Sequence, residues 1–320
     1  TTHHDSLPLV ILNYDQIESR PKDHPIVREC RGLTLRSDNF DLVGKSFNRF
    51  FIFGEVADEM SLFNFNDFVV DTKEDGSLVT LYYFEGNWHA NTRGSFAQDP
   101  MQGLNFTWTE GFCRALGINS LKELNLDTEY TYVCEFCSPY NKVVRKYNSP
   151  VMYLLTVFQG DQELTWDAVD GIPIGPLLRV QRHPFKSIEE IQAYLQDQGA
   201  NDPTFEGVVI RDNANRRWKI KSLSYLSLHA LKGEGNNLFN PKHLMPFILN
   251  GEDDELLTYY EEVRSIFYET KSQVLEAYIE LIEVWHEHKD IETQKEFAIS
   301  IAKSPFKSML FELRKKYGKN

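Results

Sequence analysis

The sequence predicts an α+β protein: antiparallel sheets with flanking helices, followed by an all-helical C-terminal region. Three observations predict it. Short runs rich in β-branched and aromatic residues, such as Ser77 to Phe84, are separated by turns built on Gly, Asn and Asp, the pattern of hairpins. Ser187-Ile188-Glu189-Glu190 reads as a capping box that opens a helix to about Gln198, ahead of two further strands. Residues 252–303 contain neither Gly nor Pro, and Leu256, Tyr260, Val263, Phe267, Val274, Tyr278, Leu281 and Trp285 recur at helical spacing. A boundary is therefore expected near residue 240, dividing the chain into 1–240, with a β-rich lead-in over about 1–60, and 241–320.

The elements follow in order. Residues 7–55 carry two dense stretches, Arg28 to Leu35 and Lys45 to Glu55, that set cations beside apolar runs and a glycine. Phe68, Val69 and Val70 open a strand that ends at Lys73, Glu74-Asp75-Gly76 turns, and Ser77 to Phe84 leads through Glu85-Gly86-Asn87 into a hairpin. Thr92 to Ser95 ends a strand, and residues 100–124 are expected to be helical. Tyr130 to Phe136 and Val151 to Phe158 read as buried strands, then Phe205 to Arg211 and Arg217 to Lys221 as a pair joined by a polar turn. Ser304-Pro305 looks like the cap of a last helix.

Composition narrows the class. With 320 residues, 42% hydrophobic and 13% aromatic, the chain can bury one large core or two smaller ones. No apolar run approaches the roughly 20 residues of a membrane helix. The N-terminus, Thr1 to Asp5, lacks the parts of a signal peptide, so a cytoplasmic protein is expected. Cys30, Cys113, Cys134 and Cys137 are too scattered for a disulfide framework. Cys134 and Cys137 form a CxxC, but no second CxxC or His pair completes a zinc site, and all four are read as reduced thiols. A formal net charge of −13 opposes general attraction to nucleic acid. The charge is uneven: 251–300 is strongly acidic, 301–320 is basic, and 205–222 concentrates Arg211, Arg216, Arg217, Lys219 and Lys221, so a nucleic-acid partner would be held by local patches.

Five positions invite chemistry. Lys73 sits where an apolar strand meets a glycine turn, which holds its amine on a rigid element. Glu135 lies inside an apolar strand and needs a cation, a metal or hydroxyl groups. Glu206 precedes Gly207-Val208-Val209, and Lys219 and Lys221 share one strand face, opposite Trp218 and Ile220, where they repel unless an anion lies between them.

Lys73-Glu74-Asp75-Gly76-Ser77, then a strand glutamate, Glu206-Gly207-Val208-Val209 and Lys219-Ile220-Lys221 resemble, in order, the motifs of the covalent nucleotidyltransferases. Glu29-Cys30-Arg31-Gly32, the Lys73 motif, and Lys219 to Ser222 with the following Tyr225-Leu226-Ser227-Leu228-His229 are more closely similar to the bacteriophage RNA ligase 1 family, the tRNA-repair type. The resemblance runs with gaps from about Arg28 to His229.

This resemblance implies an ATP-grasp-like ligase domain with adenylyltransferase activity over 1–240. In such enzymes the motif lysine, here Lys73, attacks the α-phosphorus of ATP, expels pyrophosphate and becomes a lysyl-AMP. The AMP then passes to an RNA 5′-phosphate, and an RNA 3′-hydroxyl displaces it. A free lysine has a pKa of about 10.4, so half-deprotonation at neutral pH requires roughly 4 kcal/mol. Lys219, Lys221, partial burial and a nearby metal are expected to supply it. Mg²⁺, or Mn²⁺, would be held by Glu135 and Glu206 through its water shell. Lys219 and Lys221 would contact the α-phosphate, Arg31, Lys45 and Arg49 would orient the triphosphate tail, Arg93 would bind ATP, and Thr72 would contact the base.

The expected partner is RNA with 5′-phosphate and 3′-hydroxyl ends, nicked tRNA among them, with no membrane and the chain acting as a monomer. The basic end, Lys303, Lys307, Arg314, Lys315, Lys316 and Lys319, could touch RNA phosphates or complement helix C-termini. An RNA capping guanylyltransferase and a non-catalytic RNA-binding protein on the same fold are the alternatives.

Overall fold

The computed structural model describes residues 1–14, 24–101, 103–141, 144–202, 204–222, 241–250, 257 and 263–317. Its strands, in chain order, are β1 (Thr2–His3), β2 (Leu9–Asn13), β3 (Arg31–Arg36), β4 (Leu42–Gly44), β5 (Phe51–Ile52), β6 (Phe68–Lys73), β7 (Ser77–Phe84) and β8 (Asn87–Thr92). They continue with β9 (Tyr130–Cys137), β10 (Val151–Gln159), β11 (Gln162–Glu163), β12 (Leu178–Arg179), β13 (Arg182–His183), β14 (Gly207–Asp212) and β15 (Arg217–Lys221). They form three sheets, ordered β1-β2-β3-β4, then β11-β10-β9-β7-β8 with β12 beside β10, and β13-β6-β14-β15-β5. All pairings are antiparallel except β10 with β12 and β15 with β5.

Period-two alternation decides which way each side chain faces. In the third sheet Val70, Val208, Ile210, Trp218 and Ile220 are buried against Ile191 and Leu195 of the helix Ile188–Asn201. Lys73, Asp71, Val209, Lys219 and Lys221 consequently take the opposite face. The second sheet packs Val79, Tyr132, Phe136 and Met152 against Phe112 and Leu116 of the helix Trp108–Leu116. Its other face contributes Val133, Phe158 and Leu78 to a small cluster with Phe47, Phe50 and Leu155. Each fully buried side chain of this size contributes about 1.5–3 kcal/mol by leaving water.

The helix expected over 100–124 is shorter, Trp108–Leu116. Thr107 and Glu110 form a reciprocal capping box at its start and Gly117, at φ 67°, ends it; a separate 3-10 turn covers Leu121–Glu123. Ser187 does cap its helix by accepting from Glu190 N at 3.2 Å. The box is half made, because Glu190 Oε2 accepts from Lys186 N instead. Beyond the sheets come helices Pro241–Asn250, Arg264–His288, Gln294–Ser300 and Lys307–Tyr317. Phe247 and Phe267 anchor one cluster, and Trp285, Phe297, Ile301 and Leu310 another. Ser304 accepts from Phe306 N at 3.2 Å at the start of the last turn into helix. Leu256, Tyr260 and the segment Tyr225 to His229 lie outside the described residues. No helix among the described residues is long and apolar enough to cross a membrane.

Gly207 has φ +146°, and a Cβ there would collide with the Ile220 carbonyl and lie 2.7 Å from Lys221 Cα. Gly207→Ala should cost about 1–3 kcal/mol by overpacking the β14–β15 pair. The check is the thermal unfolding midpoint, expected to fall about 2–4 °C per kcal/mol.

Candidate active site

The faces left free of the two cores look into a cavity of about 600 Å³ lined by Lys73, Glu135, Glu206, Lys219, Lys221 and residues of the N-terminal segments. Its centre follows from strand register. Gly207 of β14 is paired with Lys73 of β6 on one side and with Lys221 of β15 on the other. Glu206, one residue earlier and 4% exposed, is therefore flanked by both lysines. Its Oε1 is 2.7 Å from Lys73 Nζ and 3.1 Å from Lys221 Nζ.

Glu135 enters from the second sheet. Its strand pairs with β7, and its Oε1 accepts the Gly76 amide at 3.1 Å. The turn carrying Gly76 is itself held from behind: Asp75, buried, accepts from the Val144 and Arg145 amides at 2.7 and 2.6 Å. Tyr147 donates to Glu74 at 2.8 Å and accepts from Asp75 N at 3.1 Å. Gly76 is required there, because a Cβ would strike the Phe136 carbonyl and sit 2.8 Å from Cys137 Sγ. Burial pushes the Glu135 carboxyl up to about 7, with the Glu206 charge adding and Lys73 and Arg31 opposing.

The remaining cations rest on aromatic rings. Arg49 and Arg93 lie over Tyr14 at 5.6 and 5.9 Å. Phe47 carries Arg31 at 5.2 Å and Arg217 at 4.9 Å, and Lys219 lies over Phe50 at 5.9 Å. Burial lowers the Arg31 guanidinium to about 10, Tyr14 opposing and Arg93 adding, and its Nη1 has no acceptor among the described residues. Burial would raise the Tyr14 phenol, but Arg31, Arg49, Arg93 and Lys219 together bring it below its usual value. This concentration of positive charge can bind a polyanion.

Nine of the ten expected site residues line the cavity: Arg31, Arg49, Thr72, Lys73, Arg93, Glu135, Glu206, Lys219 and Lys221. Lys45 does not, and its amine pairs with Glu29 at 3.2 Å. Thr72 borders the space, yet its hydroxyl faces the core and lies 2.8 Å from His183 Nε2, because alternation turns Asp71 and Lys73 toward the cavity and Thr72 away. The amine of Lys73, expected below its usual value, is held above it: burial is the largest influence and lowers it, but Glu206, by charge and hydrogen bond, and Glu135 together outweigh burial and Lys221. Tyr14, Phe47, Asp71 and Arg211 are cavity residues not singled out by spacing. Alternation back from Lys73 does find Asp71; nothing local marks Tyr14 or Phe47.

A divalent ion was expected at Glu135 and Glu206. Among the described residues no group of three His, Cys, Asp or Glu gathers as a metal cage. Two carboxylates in one cavity, one of them pushed up to about 7 by burial and its neighbour's charge, fit an ion that keeps most of its own waters.

Asp75→Ala strands one buried and one half-buried amide and should cost about 2–3 kcal/mol, measured by urea unfolding, with Asp75→Asn milder. His183, stacked on Phe185 at 5.3 Å, is held by burial below its usual pKa, with Asp71 opposing. A lowered histidine pKa means that the unfolded chain binds the extra proton first, so this stability is present above pH 6.5 and lost as pH falls through the folded value. The thermal midpoint should fall between about pH 7.5 and about pH 5.5, and less so in His183→Gln.

Residues 29–226 match the RNA ligase family of the phage RNA ligase 1 type. A protein of Autographa californica nuclear polyhedrosis virus, described as a bifunctional polynucleotide kinase/RNA ligase, is 29% identical over 281 residues, 83% of this chain and 39% of the relative. The chain thus spans about two fifths of the length of the curated relative it matches. An ATP-dependent DNA ligase from Aquifex aeolicus superposes with TM-score 0.50 at 18% identity, over 90% of this chain and 79% of that one. An archaeal ATP-dependent RNA ligase does so with TM-score 0.50 at 12% identity, over 90% and 87%. These two likenesses concern the fold, the nucleotidyltransferase fold of ATP-dependent ligases, and with the match spanning most of the chain's length the protein belongs to the RNA ligase family.

Proposed function

We propose that the protein is an ATP-dependent RNA ligase that joins 5′-phosphate and 3′-hydroxyl RNA ends through lysyl-AMP and RNA-adenylate intermediates. One observation carries this reading: the amine of Lys73, at the end of β6 before the Gly76 turn, faces a buried carboxylate 2.7 Å away in a cavity walled by cations. The Nζ lone pair forms a bond to the α-phosphorus, the bond to the β-phosphate oxygen breaks, and pyrophosphate departs. Before that the ammonium must lose its proton, which Glu206 retains on Lys73 while the carboxylate is fully charged. Lys219 and Lys221, on the cavity face of β15, offset the charge that grows on the α-phosphate. Arg31, Arg49 and Arg93 hold the outgoing phosphates, and Tyr14 keeps the last two in place. Glu135 and Glu206 would hold Mg²⁺ or Mn²⁺ through its waters. When bound, the ion supplies charge that offsets both the carboxylates and the phosphates.

In this reading residues 1–240 form the adenylyltransferase unit and 241–320 a helical unit. Repair of nicked tRNA by a monomer in the cytoplasm rests on the family resemblance. Within the basic end, Arg314 belongs to the fold, since it is 7% exposed, bonds Gln294 and the Glu292 carbonyl at 3.0 and 3.1 Å and lies over Phe297. Lys303, Lys307, Lys315 and Lys316 remain for RNA phosphates.

Incubation with α-labelled ATP and Mg²⁺ should label the protein, and labelled GTP should not. Lys73→Ala should abolish labelling while leaving the thermal midpoint within a few degrees. Labelled protein should then seal at least one of nicked tRNA, nicked duplex and single-stranded RNA. Labelling by GTP alone would favour a capping guanylyltransferase, and undiminished labelling of Lys73→Ala would remove the assignment of the nucleophile.

A further inference from the structure

The cavity extends past the lysines to a second charged group that the ligation chemistry leaves unused. Arg211 lies on β14 opposite Val69, while Gly207 lies opposite Lys73, which puts it roughly 13 Å along the sheet at ~3.3 Å per residue. Val209, Leu155 and Val180 line the same cavity, with Asp71 beside Val209 on the sheet, so this part of the wall is apolar but for one carboxylate.

Arg211 is 3% exposed and incompletely satisfied. Its Nη1 donates to Thr156 Oγ1 at 3.2 Å. The nearest carboxylate, Glu163, is 3.7 Å from the same nitrogen, but both its oxygens are taken by Arg217: Oε2 accepts from Nη1 at 2.8 Å, and Oε1 from Nη2. Two buried guanidiniums thus share one carboxylate that is engaged with the other arginine. Arg211 Nε, buried, has no acceptor among the described residues. A charged donor without an acceptor is costly to keep unless a ligand supplies one.

The group that suits this place has apolar faces and a hydrogen-bond acceptor on its edge, which is the description of a heteroaromatic base. We propose that Arg211 is a specificity-determining residue of the nucleotide site, its Nε–H donating to a ring nitrogen of the purine. An exocyclic amino group turned toward this N–H would set donor against donor, so the contact also selects how the base lies in the slot. The proposal rests on the ATP reading above.

The test is displacement of a ribose-labelled fluorescent ATP by ATP and by 1-deaza-, 3-deaza- and 7-deaza-ATP, each lacking one ring acceptor. On the wild-type protein one analogue should bind about tenfold or more weaker than ATP, the scale of a hydrogen bond to a charged donor. In Arg211→Met, shown folded by circular dichroism, ATP should weaken and the ratio of ATP to that analogue should fall close to one. Arg211→Lys keeps a cation beside Glu163 without the Nε–H, so the same collapse is expected there, and it serves if the methionine variant does not fold. A loss of packing alone would weaken all four nucleotides together and leave the wild-type ratio in place, which overturns the proposal. Equal binding of ATP and all three analogues to the wild-type protein overturns it too and leaves the ligase reading standing. Absence of any ATP binding or labelling overturns both.

Discussion

The contact on which the site depends is the bridge that Glu206 makes between Lys73 and Lys221. A carboxylate 4% exposed is costly to bury alone, and two amines aimed into one space repel each other; each member offsets part of the cost of the others. It also ties three strands, since β6 and β15 each supply a lysine, Glu206 immediately precedes β14, and Gly207 is the register partner of both lysines. The same bridge has a chemical cost. It holds the proton on Lys73, so in the proposed reaction the charge of Glu206 must be offset before the amine can attack.

Around this centre, rigidity and charge come from different sheets. The turn after Lys73 is fastened by amides and a phenol to the segment that follows β9, which joins the strand carrying Glu135 to the strand carrying Lys73. The cations are placed by aromatic rings from the N-terminal segments, Tyr14, Phe47 and Phe50. This is how a chain of formal net charge −13 presents a strongly positive interior surface: the sum is irrelevant when guanidiniums are stacked side by side within one cavity.

Much of the fold was legible because it depends on neighbours in the chain. The runs at 68–73, 77–84, 130–137, 151–159, 207–212 and 217–221 are strands, as their alternation and turn residues indicate. The errors have local causes as well. The helix after residue 100 is short because Thr107 caps it and Gly117 ends it, two signals weaker than the apolar content of the whole stretch. Thr72, expected at the base because it lies on the strand before Lys73, lines the cavity but turns its hydroxyl to His183. Lys45 was grouped with Arg49 by proximity in sequence, while in space it answers Glu29.

By itself the sequence determined the strands, the glycine turns and the order of the charged motifs, because these follow from side-chain shape, backbone freedom and period-two alternation within a few residues. Only the tertiary structure decided which charges meet. The sharing of Glu206 by two lysines, the engagement of Glu163 by Arg217 rather than Arg211, and the gathering of Arg49 and Arg93 on Tyr14 each join residues far apart in the chain. Such contacts depend on distance and desolvation in three dimensions, which no spacing along a strand encodes.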